Sequence, residues 1–322
     1  MVSIQKNLFD LEQLKAIAAI ATSLLILGIA PVFIKLVEGE LTPSATIFNR
    51  LWGGAVIFGL WSGLSRIKKQ KENSSSPQEI TKIDYLLLFC ASFFFWTSQT
   101  AWAWSLPRTE VAISDLLHNF IPIFVVVGSW LLGRERFTFK FVIGTGLSII
   151  GSCLIGIEHL SSPSHQIQGD LAAILSAAFM GVYILAGETL CDKFSKITIM
   201  FCVCATGTIL SIPVLFTTQM QWFPLSSQGW ICAICLMLSI VLGQGLMLYG
   251  IEKVGGSLMS VLSLLDPLIA AIAAWFVFAE ILSNLDWVAM VIVLVGVYLA
   301  ISDRSPSSTS QSEFPEEVIS NL

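Results

Sequence analysis

The chain has 322 residues, of which 55% are hydrophobic and 12% are charged, and its formal net charge is −5. A soluble domain carries about 25% charged residues, so this composition excludes a soluble globular protein whose whole surface faces water. The mean hydropathy of +0.80 leads to the same conclusion. We therefore expect a lipid bilayer to surround most of the chain.

Ten apolar runs of membrane-spanning length follow one another with short polar connections. Backbone polar groups in lipid must be satisfied within their own segment, so we expect every run to be helical and the fold to be an all-α polytopic membrane protein. Residues 1–14 are predicted to form a polar cytoplasmic segment, and residues 303–322 a disordered cytoplasmic tail. The predicted spans are 15–36, 44–64, 84–105, 111–132, 139–157, 170–190, 197–217, 228–250, 255–279 and 286–302.

Lysine and arginine are distributed unevenly between the two sides of these spans. With the N-terminus in the cytoplasm, 14 of the 17 fall on the cytoplasmic side, Arg108 lies outside, and Lys35 and Arg50 lie within spans. Cytoplasmic connections of polytopic proteins carry such an excess, and one span more or fewer would destroy it. We predict both termini in the cytoplasm and a bacterial plasma (inner) membrane location, with an internal membrane left open.

The sequence repeats itself at an offset of 145 residues. The match joins the end of span 3 through span 5 to the end of span 8 through span 10, whereas spans 1–2 align only weakly with spans 6–7. Five spans per half is an odd number, so the two halves are predicted to be inverted repeats, which are typical of alternating-access carriers. The aligned pairs are Gln99 with Gln244, Pro122 with Pro267, Trp130 with Trp275, Glu135 with Glu280, and Gly151 with Gly296.

In the fourth helix of each half a proline is followed thirteen residues later by a glutamate, Pro122 by Glu135 and Pro267 by Glu280. On this pattern the chain resembles the drug/metabolite transporter superfamily of the ten-helix EamA type. The resemblance implies a first five-helix repeat over residues 15–158 and a second over 169–302. It also implies a small-solute carrier, usually an exporter of amino acids or related metabolites, with a cavity lined by the first, third and fourth helices of each half.

Asp115, His118 and Asn119 stand at positions i, i+3 and i+4 of span 4 and share one helix face. Pro122 follows them and cannot donate a backbone hydrogen bond, which frees a carbonyl one turn earlier. A carboxylate and an imidazole at this point can bind an amine or relay a proton. A static ion pair between Asp115 and Arg50 of span 2 is the alternative explanation.

Further polar residues are candidates for binding, because charged groups inside a membrane are costly and are functional candidates by default. Asp266 lies near the midplane directly before a proline, and the amides of Gln99 and Gln244 suit a zwitterionic or polar neutral substrate. Hydrogen bonds between helices explain all three nearly as well. We predict substrate binding by Gln99, His118, Asn119, Gln244 and Asp266, proton coupling by Asp115, His118 or Asp266, and structural or gating roles for Arg50, Pro122, Glu135, Pro267 and Glu280.

The predicted function is secondary transport of a small polar metabolite by alternating access, as an exporter, with proton coupling left open. The sequence has no H-E-x-x-H, G-x-S-x-G or Walker A pattern, so we predict neither an enzyme nor an ATP-driven pump. The expected partners are a small-molecule substrate and the lipid bilayer, with no nucleic acid, cofactor or metal. A homodimer stays open, and a channel and a non-transporting membrane scaffold are the alternative functions.

Overall fold

The computed structural model describes residues 2–37, 39–69, 80–106, 108, 114, 117–157, 167–218, 221–279 and 283–302. Ten helices lie in these ranges. In chain order they are α1 (Val2–Val37), α2 (Pro43–Lys69), α3 (Lys82–Ser105), α4 (Ile121–Leu131), α5 (Phe139–Ile157), α6 (Ile167–Lys193), α7 (Lys196–Thr218), α8 (Ser227–Val254), α9 (Gly256–Phe278) and α10 (Asn284–Ser302).

These helices form a membrane bundle. Seven of them are long and apolar enough to cross a bilayer, and α4 is a shorter apolar helix. Large apolar side chains such as Leu60, Phe216, Phe276 and Tyr298 are exposed on the outside of the bundle, where lipid is a favourable solvent and water is not. The predicted all-α polytopic fold with ten helices is confirmed. The predicted tail, 303–322, lies outside the described residues.

The helix contacts repeat when the two halves are exchanged. Helix α3 packs on α6 as α8 packs on α1, and α4 packs on α6 as α9 packs on α1. Helices α5 and α10 pair with each other, as do α2 and α7. Because each half has five helices, the exchange also reverses the direction across the membrane, as the inverted repeat requires. We call the membrane side on which α1 begins and α10 ends the terminal side, and the opposite side the distal side.

Close contacts between α5 and α10 establish the register of the repeat. A Cβ added to Gly151 would lie 2.8 Å from the backbone nitrogen of Val293, and one added to Gly296 would lie 2.5 Å from that of Ser148. Residues 151 and 296 are 145 positions apart, as are 148 and 293. The two contacts are therefore one contact seen from the two halves.

The first two helices of each half follow a different offset. A Cβ on Gly54 would lie 2.9 Å from Cys204 Sγ, and one on Gly207 would lie 2.7 Å from Leu51 Cδ1. These positions are 153 residues apart, 54 with 207 and 51 with 204. The first half therefore has eight additional residues between Gly54 of α2 and the start of α3, and for that reason spans 1–2 align poorly with spans 6–7 at an offset of 145.

The fourth helix of each half is interrupted at the same repeat position. In α9 a 3₁₀ turn covers Ser263–Leu265 directly before Asp266 and Pro267. In the first half the chain makes a turn at residues 119–120 directly before α4, whose second residue is Pro122. Proline has no N–H to continue the regular ladder, which explains why both breaks lie just before it. Helix α8 has a separate irregularity, a π-helical segment over Ser239–Gln244.

Candidate functional site

His118 lies at the break of the fourth helix and contacts two other helices. Its Nδ1 is 2.7 Å from Oγ of Ser176 in α6, and its ring centroid is 5.8 Å from that of Trp102 in α3. Ser176 donates its one hydroxyl hydrogen to the carbonyl of Ala173 at 2.6 Å, so Nδ1 of His118 is the donor in the bond between them. In the neutral imidazole, Nε2 is then the atom that can accept a proton or a hydrogen bond from a ligand.

Ser176 also connects α3 to this group. The hydroxyl of Ser98 donates to the carbonyl of Ser176 at 2.7 Å, and the partly buried Gln99 follows Ser98 in the chain. The second half makes the equivalent link between α1 and α8, where Ser23 donates to the carbonyl of Gly243 at 2.8 Å. These serines were not predicted, because serine is common in membrane helices and packs without a special partner.

Gln244 and Asp266 lie on the other side of the repeat, among α1, α8 and α9. Gln244 ends the π-helical segment and is only 8% exposed. In the described part of the chain, neither Oε1 of Gln244 nor Oδ1 of Asp266 has a hydrogen-bond partner. Buried polar atoms without a partner are unfavourable, and both oxygens are available as hydrogen-bond acceptors; the binding and proton roles of the two residues stay predictions.

A glycine permits the position of Asp266. A Cβ added to Gly28 of α1 would lie 3.1 Å from the carbonyl oxygen of Asp266 and 2.6 Å from Cβ of Ile269. The equivalent crossing of α6 and α4 has Gly181 at 2.9 Å from Cβ of Phe124 by the same measure. A side chain at either glycine would move the interrupted helix away from its neighbour.

The structure places the predicted binding residues in two groups. Gln99 and His118 belong with α3, α4 and α6, whereas Gln244 and Asp266 belong with α1, α8 and α9. Asn119 follows His118 in the turn and is partly buried. No hydrogen bond between described residues joins the two groups. Asp115 and Glu280 lie outside the described residues, and the roles predicted for them stay predictions.

Arg50 lies about 10 Å into α2, counted from Pro43 at about 1.5 Å per residue. It is 8% exposed, and its Nε has no hydrogen-bond partner. Among the residues that the structure describes, no carboxylate forms an ion pair with it. A charged side chain at such depth costs about 2.5–3.5 kcal/mol even on lenient insertion scales. Asp115, the partner predicted for Arg50, lies outside the described residues.

A narrow cleft lies beside Arg50 in the distal half of the bundle. It is bounded by α1, α2 and α3, because Ile34, Thr46 and Trp102 line it together with Arg50 and Leu106. Trp102 therefore faces this cleft and also contacts His118.

On the terminal side, Arg134 connects the end of α4 to α6 by hydrogen bonds. Gly133 has a φ of 66°, a left-handed conformation that ends α4 and favours glycine. The guanidinium of Arg134 donates to the carbonyl of Leu185 at 2.8 Å and to Oγ1 of Thr189 at 2.9 Å. It also lies 3.6 Å from a carboxylate oxygen of Glu188. This cluster holds the first broken helix against the second half.

A second link on the terminal side, the terminal contact, joins the end of α6 to the start of α3. Lys193 Nζ lies 3.3 Å from Oδ1 of Asp84. The carboxylate of Asp84 also accepts the N–H of Thr81, whose hydroxyl caps α3. A cation and a helix N-terminus both stabilise a carboxylate at this position.

The distal side has the repeat-equivalent link, the distal contact, at the start of α8. Glu40 stands 153 positions before Lys193, and its carboxylate accepts the N–H groups of Leu225 and Ser226 at 3.1 and 3.2 Å. It also accepts the hydroxyl hydrogen of Ser226. These hydrogen bonds, chiefly that of the Ser226 hydroxyl, hold the pKa of the Glu40 carboxyl below its ordinary value.

Glu135 lies in the connection between α4 and α5. The following helices are capped by other residues, since Thr138 accepts the N–H of Phe141 and Ser283 accepts that of Asp286. The structural or gating role of Glu135 stays a prediction. In the part of the chain that was described, no three His, Cys, Asp or Glu side chains are grouped to hold a metal ion.

Known transporters are similar to this chain. The EamA-like transporter family matches it twice, over residues 14–157 and 167–302. An uncharacterized transporter of Archaeoglobus fulgidus is 25% identical over 285 residues, which cover 88% of this chain and 95% of that protein. UDP-galactose transporter 1 of Arabidopsis thaliana is 25% identical over 218 residues, covering 65% of this chain and 64% of that protein.

A solved crystal structure has the same fold, with a TM-score of 0.73 and 18% identity over 90% of this chain and 99% of the other. The two segments that the family matches begin 153 residues apart and end 145 residues apart. These are the two offsets that relate the halves of the bundle. The chain is thus a multi-pass membrane protein that belongs to the EamA-like transporter family.

Proposed function

We propose that the protein is a secondary transporter that exports a small polar metabolite, an amino acid or a related compound, by alternating access. One observation supports this above the others: two inverted halves each interrupt the fourth helix beside polar residues. These are His118 and Asn119 in the first half and Ser263 and Asp266 in the second. Interrupted helices in inverted repeats form the midplane binding sites of carriers. Family membership supports the same proposal.

The two groups of polar residues act as the two walls of one central site. As the halves rock, Gln99, His118 and Asn119 face Gln244 and Asp266 across the substrate. Nε2 of His118, Oε1 of Gln244 and Oδ1 of Asp266 are acceptors, so they suit a substrate that offers N–H donors. Asp115, His118 or Asp266 takes up the proton in a coupled cycle, while Pro122 and Pro267 maintain the two breaks.

The terminal side is the cytoplasmic side in this proposal. Arg134, Lys193, Lys196 and Lys253 lie there, whereas Arg108 lies on the distal side. Cations accumulate on the cytoplasmic side of membrane proteins. Both termini are then cytoplasmic in a bacterial plasma membrane, and the exported metabolite leaves through the distal side.

Uptake into proteoliposomes tests the proposal. A mixed pool of amino acids, amines and nucleobases is offered with and without an imposed pH gradient, and the accumulated compounds are identified by mass spectrometry. Saturable uptake with counterflow of one class of compound is expected. Flux that does not saturate and shows no counterflow would establish a channel instead, and a folded protein that passes nothing would favour a scaffold.

Asp266→Asn tests the proton role within the same assay. We expect transport to fall by about tenfold or more, because asparagine keeps the Oδ1 acceptor but makes no charge-assisted hydrogen bond. The pH dependence should disappear, because asparagine cannot take up the proton. Asp192→Asn is the matched control, because Asp192 is an exposed acid at the terminal end of α6. Unchanged transport with an unchanged pH profile in Asp266→Asn would remove Asp266 from the mechanism.

A further inference from the structure

Arg50 carries a positive charge that nothing in the described chain balances. Its side chain is more than nine-tenths buried, its Nε donates to no acceptor, and no described carboxylate pairs with it. A guanidinium presents its donors in a fixed planar fork that matches the two oxygens of a carboxylate or a phosphate. A buried guanidinium with an unused donor is therefore prepared for an anion.

The cleft beside Arg50 combines this cation with a mainly apolar lining. Thr46 stands one helical turn before Arg50 and lines the same cleft, and the other walls include Trp102, Ile34 and Leu106. One cationic end and mainly apolar walls fit a compound with one anionic group and an apolar body.

The fold itself does not need a cation at this position. In the second half the residue equivalent to Arg50 is Val203, which is fully buried, and the residue equivalent to Trp102 is the buried Met247. The same helix crossing is therefore built from apolar side chains alone. A residue that is costly in the membrane and unnecessary for packing is explained by a ligand.

We propose that Arg50 and this cleft bind the anionic group of the transported metabolite, a carboxylate or a phosphate. This inference rests on the proposed transport function and narrows it to substrates that carry a negative group. Trp102 joins the cleft to the predicted transport residues, because its ring centroid is 5.8 Å from that of His118. The anionic end of the metabolite then lies beside Trp102, whose ring also contacts His118 at the break in the fourth helix.

Binding is measured in nanodiscs of neutral phosphatidylcholine by titration with butyrate, inorganic phosphate and the uncharged butyramide. The readouts are the midpoint of thermal unfolding and the intrinsic tryptophan fluorescence. At least one of the two anions should raise the midpoint, whereas butyramide should not. Arg50→Gln should weaken anion binding by about 10- to 100-fold, as expected for a lost charge-assisted hydrogen bond, and Arg50→Lys should weaken it less.

Two further variants control for folding and for position. Arg50→Val copies the residue that the second half uses and should remain folded while losing the response to anions. Arg108→Gln should respond as the wild type does, because Arg108 lies at the distal end of α3 and already donates to the carbonyl of Trp104 at 3.0 Å. The anion site is overturned if the wild type responds to neither anion, if butyramide acts equally, or if folded Arg50→Gln or Arg50→Val responds undiminished.

A lipid headgroup is the other source of the same chemistry. If only nanodiscs with phosphatidylglycerol stabilise the protein through Arg50, the cleft binds lipid and the assignment to the metabolite is overturned. A different result would overturn the transport proposal alone: butyrate or phosphate binds through Arg50, but proteoliposomes take up nothing. If proteoliposomes take up neutral compounds and Arg50→Gln leaves that uptake unchanged, the anion site is overturned but the transport proposal stands.

Discussion

Ala279 ends α9 with φ 53° and ψ 31°, in the left-handed region. A residue with a Cβ occupies this region at a cost of about 1–2 kcal/mol. The first half ends its fourth helix with Gly133, which has no Cβ and adopts a φ of 66° without that cost. The second half therefore carries backbone strain that the first half avoids.

Replacing Ala279 with glycine should relieve this strain. We expect Ala279→Gly to raise the free energy of unfolding by about 0.5–1 kcal/mol, after the greater chain entropy of glycine is subtracted. Ala274→Gly, inside the regular part of α9, should lower it by about 1 kcal/mol. Thermal unfolding in detergent measures both, and a lower midpoint for Ala279→Gly would contradict the strain.

Individual residues differed in how far they could be predicted. His118, Asp266 and Arg50 stand out because charged or titratable residues are rare in apolar segments. Ser98 and Ser176 do not stand out, since serine is common in membrane helices and packs without a special partner. Their bonds depend on which turn of α6 faces α3, and a single sequence does not contain that information.

Among the helices, the pair α5 and α10 shows how small residues position a membrane element. A Cβ on Gly151 would lie 2.8 Å from the nitrogen of Val293 and 3.0 Å from the carbonyl oxygen of Ala289. Both are backbone atoms, which cannot rotate away as a side chain can. Gly146, in the same helix, has nothing within 4 Å of an added Cβ.

Adding a methyl group at these two glycines should therefore have opposite effects. Gly151→Ala should lower the free energy of unfolding by about 1–3 kcal/mol, because the two helices must separate. Gly146→Ala should raise it by about 0.5–1 kcal/mol, because only the entropic penalty of glycine is removed. Unfolding in detergent, followed by circular dichroism, compares them, and equal effects would show that the crossing is loose.

The irregular helices were predictable where proline causes them. Pro122 predicted a loosened fourth helix, and the structure has a break just before it and before Pro267. The π-helical segment of α8 contains no proline in Ser239–Gln244. Ser23 of α1 donates to the carbonyl of Gly243 within this segment, a contact between distant helices that the local sequence does not predict.

Across the whole molecule, the terminal and distal contacts are the same link made on opposite sides of the membrane. The terminal contact is an ion pair between Lys193 and Asp84. The distal contact replaces the lysine with Glu40, which binds the start of α8 through N–H groups and the hydroxyl of Ser226. A carrier that opens one side at a time has to break one of these links while it keeps the other.

Acidification should release the distal contact. The pKa of Glu40 is held below its ordinary value of 4.5, so the stabilisation is complete above that value and is lost as the pH falls through the lowered pKa. Spin labels at Gly39 and Gln228, in a background without accessible cysteines, should move apart as the pH is lowered. In Glu40→Gln the distance should not depend on pH; a pH dependence that persists in this variant would assign it to another group.

The ten spans and the inverted repeat of the later helices were predictable, because the apolar pattern and the cation distribution are strong signals. The match of α1 and α2 with α6 and α7 was not. An offset of 145 puts Leu51 and Gly54 out of alignment with Cys204 and Gly207. In so apolar a chain, apolar residues match one another by chance at any offset, so such matches do not reveal the correct one. The contacts between α2 and α7 identify the true offset.

The change from 153 to 145 also records where this chain tolerates a change in length. A residue inserted within a helix turns every later side chain by about 100°, so eight would rotate a packed face by about 80°. Crossings held by glycine against backbone, such as that of α5 with α10, would not survive it. Four of the eight extra residues instead extend α2, which has 27 residues against 23 in α7. The other four lengthen the connection from α2 to α3 relative to the one from α7 to α8. The change in length is therefore confined to the end of α2 and the connection after it, and the crossings held by glycine on either side keep their register.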